Sequence, residues 1–396
     1  PVAETGRSVR HREGRAASQG PTPVAAVLRK SNNNYIAITS MGGRQTLLSS
    51  RSRCSGCFGP GLVLVGSALF AVANAMGKAF ERTGGTVGTL LVTRGLLAWG
   101  FNGVLAHIGG EPLLSVLFFR GTSVQLGAFL LLNGILNAIT VQTLFIALDK
   151  YVSFGDAFVV IIGVYTIAVF VFSRLLGRSE RVTLLEIFGG SLTVLGVALV
   201  SQPSWLFSAV GARPIVPLGL LLLAIGGVSV GASNVGFRSL TQNGITPAQC
   251  NSALQGVLGG YAVATLGVCV LATSGEPPQW SQLHLPVSAL ALLALLGYVI
   301  CITLAQLSFI NGIKHVRAGT AAVLGNLEIV FASIIGATAL GQPTNLLSVL
   351  GNVVVFAGAS LVAYGAAREK PLPPPPTSEV RMAAVRVSER DIEMIR

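Results

Sequence analysis

The stretch Gln142-Thr-Leu-Phe-Ile-Ala-Leu-Asp-Lys150 decides the fold, because it returns 164 positions downstream as Gln306-Leu-Ser-Phe-Ile-Asn-Gly-Ile-Lys314. The correspondence runs on through Val152 and Val316, Gly155 and Gly319, Ala157 and Ala321, Val159 and Val323, Ala168 and Ala332, and Leu176-Gly177 and Leu340-Gly341. That makes eleven identities over 36 positions, where apolar composition alone yields about three or four. Closing a two-residue gap lowers the offset to 162 and pairs Gly189 with Gly351, Gly196 with Gly358 and Glu180 with Gln342. A repeat of this length sets the architecture before any single element does.

Composition says what kind of unit is repeated. The chain has 396 residues, 52% of them hydrophobic and only 11% charged, less than half the charge of an average soluble domain. Apolar runs of about 20 residues read as membrane-spanning helices. The net charge of +12 does not point to nucleic acid, because nine of the 27 basic residues fall in the first 53 positions and no soluble basic face accompanies them. Cys54 and Cys57 have metal-like spacing but no second pair or His nearby, so no metal site is read.

Residues 1–57 form a polar, Arg- and Ser-rich tail, expected to be disordered; an organelle transit peptide is the other reading. Ten apolar segments follow, at about 58–77, 86–107, 121–146, 154–176, 183–201, 215–237, 251–272, 286–310, 318–340 and 346–366. All are helical by length, since only helices and closed barrels satisfy their backbone in lipid and the alternation of a barrel is absent. Residues 58–201 are thus one five-helix repeat, 202–214 the loop between repeats, 215–366 the second repeat and 367–396 a Pro-rich tail. With the N-terminus in the cytosol, eleven basic residues near span ends lie inside and four outside, which places both termini in the cytosol. Five spans per half turns the second half upside down relative to the first, so Lys150 and Lys314 should lie at opposite membrane faces. A plasma membrane or endomembrane is expected, with a plastid or mitochondrial envelope as the alternative.

From Ala147 to Glu180, and again from Arg317-Ala-Gly-Thr-Ala-Ala to Leu340-Gly341-Gln342-Pro343, the sequence resembles the EamA-type repeat of the drug/metabolite transporter superfamily, most nearly the G-type members of solute carrier family 35. Arg94 in the second span and Arg120-Gly121 at the third fit the same pattern; Gln342 departs from it, standing where the family usually has Glu. The resemblance covers about 60–366. It implies ten helices in two inverted repeats, a central cavity lined mainly by the first four helices of each half, and solute movement by alternating access. It implies no catalytic residues and no cofactor.

Polar residues inside apolar runs are the site candidates, because a mid-bilayer charge costs about 2.5–3.5 kcal/mol unless it faces a cavity or a partner. Glu328 lies mid-way along the ninth span with Asn326 two residues before it; its repeat counterpart is Val164, beside Tyr165. It reads as a proton-coupling or cation-binding group, or as a packing hydrogen bond. Arg94 reads as an anion ligand or a snorkelling cation; its counterpart is Gln255. Asn74 and Asn234 are repeat partners, as are Gln142 and Gln306, and paired amides at matching depth can line a site or join helices. Lys78 and Arg238, which follow the Asn pair, read as boundary anchors. Asp156 and Glu186 read as helix N-terminal charges. His107, His284 and His315 are far apart and lack metalloenzyme spacing. The expectation is a multi-pass secondary transporter of a small organic solute, with the bilayer and coupling protons as partners and a homodimer left open. A nucleotide-sugar or organic-anion exchanger, or a non-transporting scaffold, is the alternative.

Overall fold

The computed structural model describes residues 29–31, 34–36, 55–152, 154–176, 182–203, 206, 216–272, 288–339, 341 and 344–368. The expectations for the Pro-rich tail, Glu180, Gln342 and most of the inter-repeat loop fall outside them. The chain divides into two units, Pro1–Ser52 and Arg53–Arg396. In the first, β1 (Arg29–Ser31) and β2 (Asn34–Ile36) form an antiparallel ribbon with Arg29 opposite Ile36.

The second unit is helical: α1 (Ser55–Arg82), α2 (Val87–Ile108), α3 (Leu113–Phe118), α4 (Val124–Lys150), α5 (Phe154–Leu176), α6 (Leu184–Ser201), α7 (Pro217–Gln242), α8 (Pro247–Ala272), α9 (Ala289–His315), α10 (Ala318–Gly325), α11 (Leu327–Ala339) and α12 (Leu346–Arg368). Nine spans among the described residues are long and apolar enough to cross a membrane, α10 and α11 together making one. The 26-residue α8 stands where the repeat requires the seventh span. Large apolar side chains such as Ile167, Leu195, Leu293, Val353 and Phe356 remain exposed on this body, a surface suited to lipid rather than water.

The repeat is legible in the turns. Gly84 and Gly244, 160 apart, both have φ 90, a conformation that only glycine adopts freely. The next residue closes each helix with the same bond, Gly85 N–H to the Phe80 carbonyl and Ile245 N–H to the Leu240 carbonyl, each 3.1 Å, the αL stop of a helix C-terminus. Thr86 and Thr246 then cap α2 and α8 through the N–H groups of Thr89 and Gln249, satisfying orphan donors of the first turn.

Helix packing shows the inversion. α2 and α8 hold the same place in their repeats yet run antiparallel: Gly95 lies against Gly259, Gly256 against Trp99, and Asn102 bonds the Ala248 carbonyl and Ser252. α6 and α12 are antiparallel too, with Gly189 on Gly358 and Gly196 on Gly351. Each glycine therefore touches the repeat equivalent of the other, the reciprocal contact that a two-fold axis produces. The remaining pairs follow the same operator: α1 packs on α9 as α7 packs on α4, and α1 on α11 as α7 on α5. α4 ends beside the start of α7, with Tyr151 and Val152 at Gly219, and α9 ends beside the start of α1, with His315 at Gly59. Five crossings separate those two starts, so the backbone at Lys150 and at Lys314 lies at opposite ends of the body.

Two features depart from the expected ten continuous spans. α3 is an additional six-residue helix, stopped by Phe119 at φ 55. The ninth span is interrupted at Asn326, where Ile329 N–H bonds the Asn326 carbonyl three residues back, a local tightening of the kind found at functional hinges.

Candidate functional site

A cavity of about 270 Å³ lies between the two repeats. Its lining comes from α1, α2, α4 and α5 and from α7, α8, α9 and the α10–α11 span, with no residue from α6 or α12. The fifth helix of each repeat is thus spent on the glycine contact and the first four on the cavity, as the resemblance implied. Six of the eight candidate residues bring polarity to it: Arg94, Tyr165, Asn234, Gln306, Glu328 and, at the break, Asn326.

Glu328 stands in the first turn of α11, where the helix dipole favours an anion. Its Oε1 accepts a 2.6 Å bond from Asn74 Nδ2 of α1, and Arg94 of α2 lies within its electrostatic reach. Arg94 Nε is buried with no hydrogen-bond partner, a donor left unsatisfied beside the cavity. Asn234 Nδ2 of α7 bonds Tyr165 Oη of α5 at 2.9 Å. Asn326 Nδ2 reaches Thr193 of α6 at 3.2 Å and Thr166 of α5 at 3.5 Å, so the break is held in place by neighbouring helices. Gln306 accepts from Gln255 Nε2, and Gln255 also meets Asn251, which bonds Asn102 of α2. The counterpart of Arg94 is therefore a fully buried member of an amide chain that anchors Gln306 to the α2–α8 contact.

Gln142 does not join the group: it is half-buried and absent from the lining. α4 offers Asn137, Thr140 and Val141 to the cavity where α9 offers Gln306, Phe309 and Ile310. The equivalents of the latter are Gln142, Phe145 and Ile146, five residues further along, about 7.5 Å at the helical rise. The two repeats therefore present their third helices differently, and the cavity is asymmetric. Asn74 also lies outside the lining, touching it through Glu328. Asn137 and Thr140 were not singled out by the sequence; the signal was there in the Asn133, Asn137 and Thr140 spacing along one helix face.

Arg238 is not the boundary anchor its position suggested. It is buried, and its Nη1 bonds the Ile313 carbonyl at 2.9 Å, because the last carbonyls of α9 have no partner within their helix and carry its negative dipole end. Glu186 does act at a helix start. It forms a capping box with Thr183 and accepts from Thr320 at 2.9 Å, with Arg317 at 3.9 Å.

Residues 217–364 match the model of the EamA-like transporter family, a family of transporters rather than enzymes. No curated protein matches the sequence. A solved crystal structure resembles this one with a TM-score of 0.61 at 18% identity, over 78% of this chain and 98% of its own. The family match lies in the second repeat, whereas the structural likeness extends the shared fold across both.

Proposed function

With residues 217–364 an EamA-like transporter domain in a multi-pass membrane protein, we propose that the whole helical body carries a small organic metabolite across its membrane by alternating access. The observation that carries this reading is the cavity at the junction of two inverted repeats, lined by one charged residue from each, Arg94 and Glu328. Inverted repeats around a midplane site are the arrangement in which one half rocks against the other to open either face. At about 270 Å³ the cavity falls below the roughly 300–1,000 Å³ of drug-sized pockets, which favours a small solute over a nucleotide sugar. Glu328 is the group suited to take and release a proton during the cycle. Asn74 bonds its carboxyl oxygen and Arg94 lies close by, so a solute cation or a proton arriving at Glu328 competes with these two contacts.

The unpartnered Arg94 Nε favours a second reading, a small organic-anion exchanger, in which the guanidinium takes a carboxylate or phosphate of the solute. Both readings are tested by thermal stabilisation of the purified protein against separate sets of small cations, zwitterions, carboxylates and phosphates. The expected result is one set that raises the melting temperature of the wild type but not of Arg94→Ala or Glu328→Gln. Equal stabilisation of all three proteins would place binding outside this cavity and contradict both readings.

A further inference from the structure

The bridge from Asn74 to Glu328 and the bridge from Asn234 to Tyr165 are one contact made twice. Asn74 and Asn234 are repeat partners, and each stands eight residues before the end of its helix (82 less 74, 242 less 234). Their acceptors are neighbours in the repeat register, since Glu328 corresponds to Val164, beside Tyr165. Each bond crosses between repeats, from the first helix of one half to the fourth helix of the other, at 2.6 and 2.9 Å. α1 and α7 run in opposite directions, so the two donors stand on opposite sides of the midplane. Asn74 is four residues past the middle of the span Phe58–Arg82, about 6 Å at the helical rise, and Asn234 is displaced as far toward the other face. The cavity lies between them, with Asn234, Tyr165 and Glu328 in its wall.

We propose that these two amide bridges are the gates of the transport path, Asn74–Glu328 closing it toward the face where α1 ends and Asn234–Tyr165 closing it toward the face where α7 ends. Opening to either face separates the first helix of one repeat from the fourth of the other, which requires one bridge to break while the other holds. The pair is chemically unequal. A carboxylate serves one gate and a phenol the other, so a change of charge acts on the α1-end gate alone. The inference rests on the transport reading but is tested without a solute. Val230 lines the cavity; Val230→Cys in a chain whose five native cysteines are replaced by alanine gives one cavity thiol. Its labelling by a membrane-impermeant maleimide is timed from each face of oriented vesicles. Asn74→Ala should raise the rate from the α1-end face only, and Asn234→Ala or Tyr165→Phe from the α7-end face only, each about fivefold for the loss of one hydrogen bond. Complete labelling after denaturation, and elution of each variant as a single species, confirm intact protein. Variants that raise labelling from the same face, or rates unchanged by all three, overturn the assignment and leave the bonds as packing contacts. Failure of the transport reading is a separate result: a cavity thiol gated as described in a protein that moves no solute.

Discussion

Glu328 is polar where lipid tolerates little polarity, and the fold supplies it with Asn74, Arg94 and a helix start. Glutamine keeps the shape and the bond to Asn74 but cannot change charge. Glu328→Gln should therefore reduce gradient-driven accumulation to the level seen without a gradient, read as uptake of labelled solute; accumulation at the wild-type level would remove protons from the cycle. Arg94 offers a fork of donors with one nitrogen unused. For an anionic solute, Arg94→Ala should weaken binding roughly 10- to 100-fold, the value of a charge-assisted hydrogen bond. Arg94→Lys should recover part of that loss, because an ammonium supplies the charge without the fork; the check is a titration by calorimetry. These two residues stood out in the sequence because a lone charge in an apolar run needs a reason. Asn137 and Thr140 did not, since such side chains bond their own helix as readily as they line a cavity: Thr140 donates to both the Leu136 and Gly226 carbonyls. Gln142 shows the converse, for repeat identity fixes a residue's register but not the rotation of its helix toward the cavity.

Among the elements, the pairing of α6 with α12 is the most exacting. A Cβ on Gly196 would stand 2.6 Å from Val355 and 2.7 Å from the Gly351 carbonyl, both on a packed neighbour that has no room to yield. Gly196→Val should lower stability by about 1–3 kcal/mol, seen as a lower melting temperature in detergent; an unchanged melt would mean that the two helices are not held in this contact. The same substitution at Gly100, which has open space beside it, is the control. The nine spans found among the described residues were readable in the sequence because apolar length alone sets them. α3 was not, being six residues long, and neither was the break at Asn326. That break depends on Thr193 and Thr166, which are distant in sequence, so no local pattern around Asn326 announces it.

At the scale of the whole molecule, inversion is the property from which the rest follows. It was legible from an odd number of spans in each half, and the antiparallel contacts of α2 with α8 and α6 with α12 bear it out. It predicts that single cysteines introduced at Lys150 and Lys314 react with an impermeant reagent from opposite faces of a vesicle, although the two residues are equivalent in the repeat. Reaction of both from one face would contradict the inverted arrangement. The asymmetry of the cavity, with α4 and α9 offering different faces, was beyond the sequence because tertiary packing, not repeat register, sets how each helix is turned toward the cavity. The central claim is that this body moves a solute, and the most direct measurement is uptake from a mixed pool of small metabolites into proteoliposomes, read by mass spectrometry with and without an inward proton gradient. The account predicts accumulation of one small solute class that requires either the gradient and an intact Glu328 or preloaded counter-solute. No uptake of any solute under either condition, by a folded and correctly inserted sample, would contradict it.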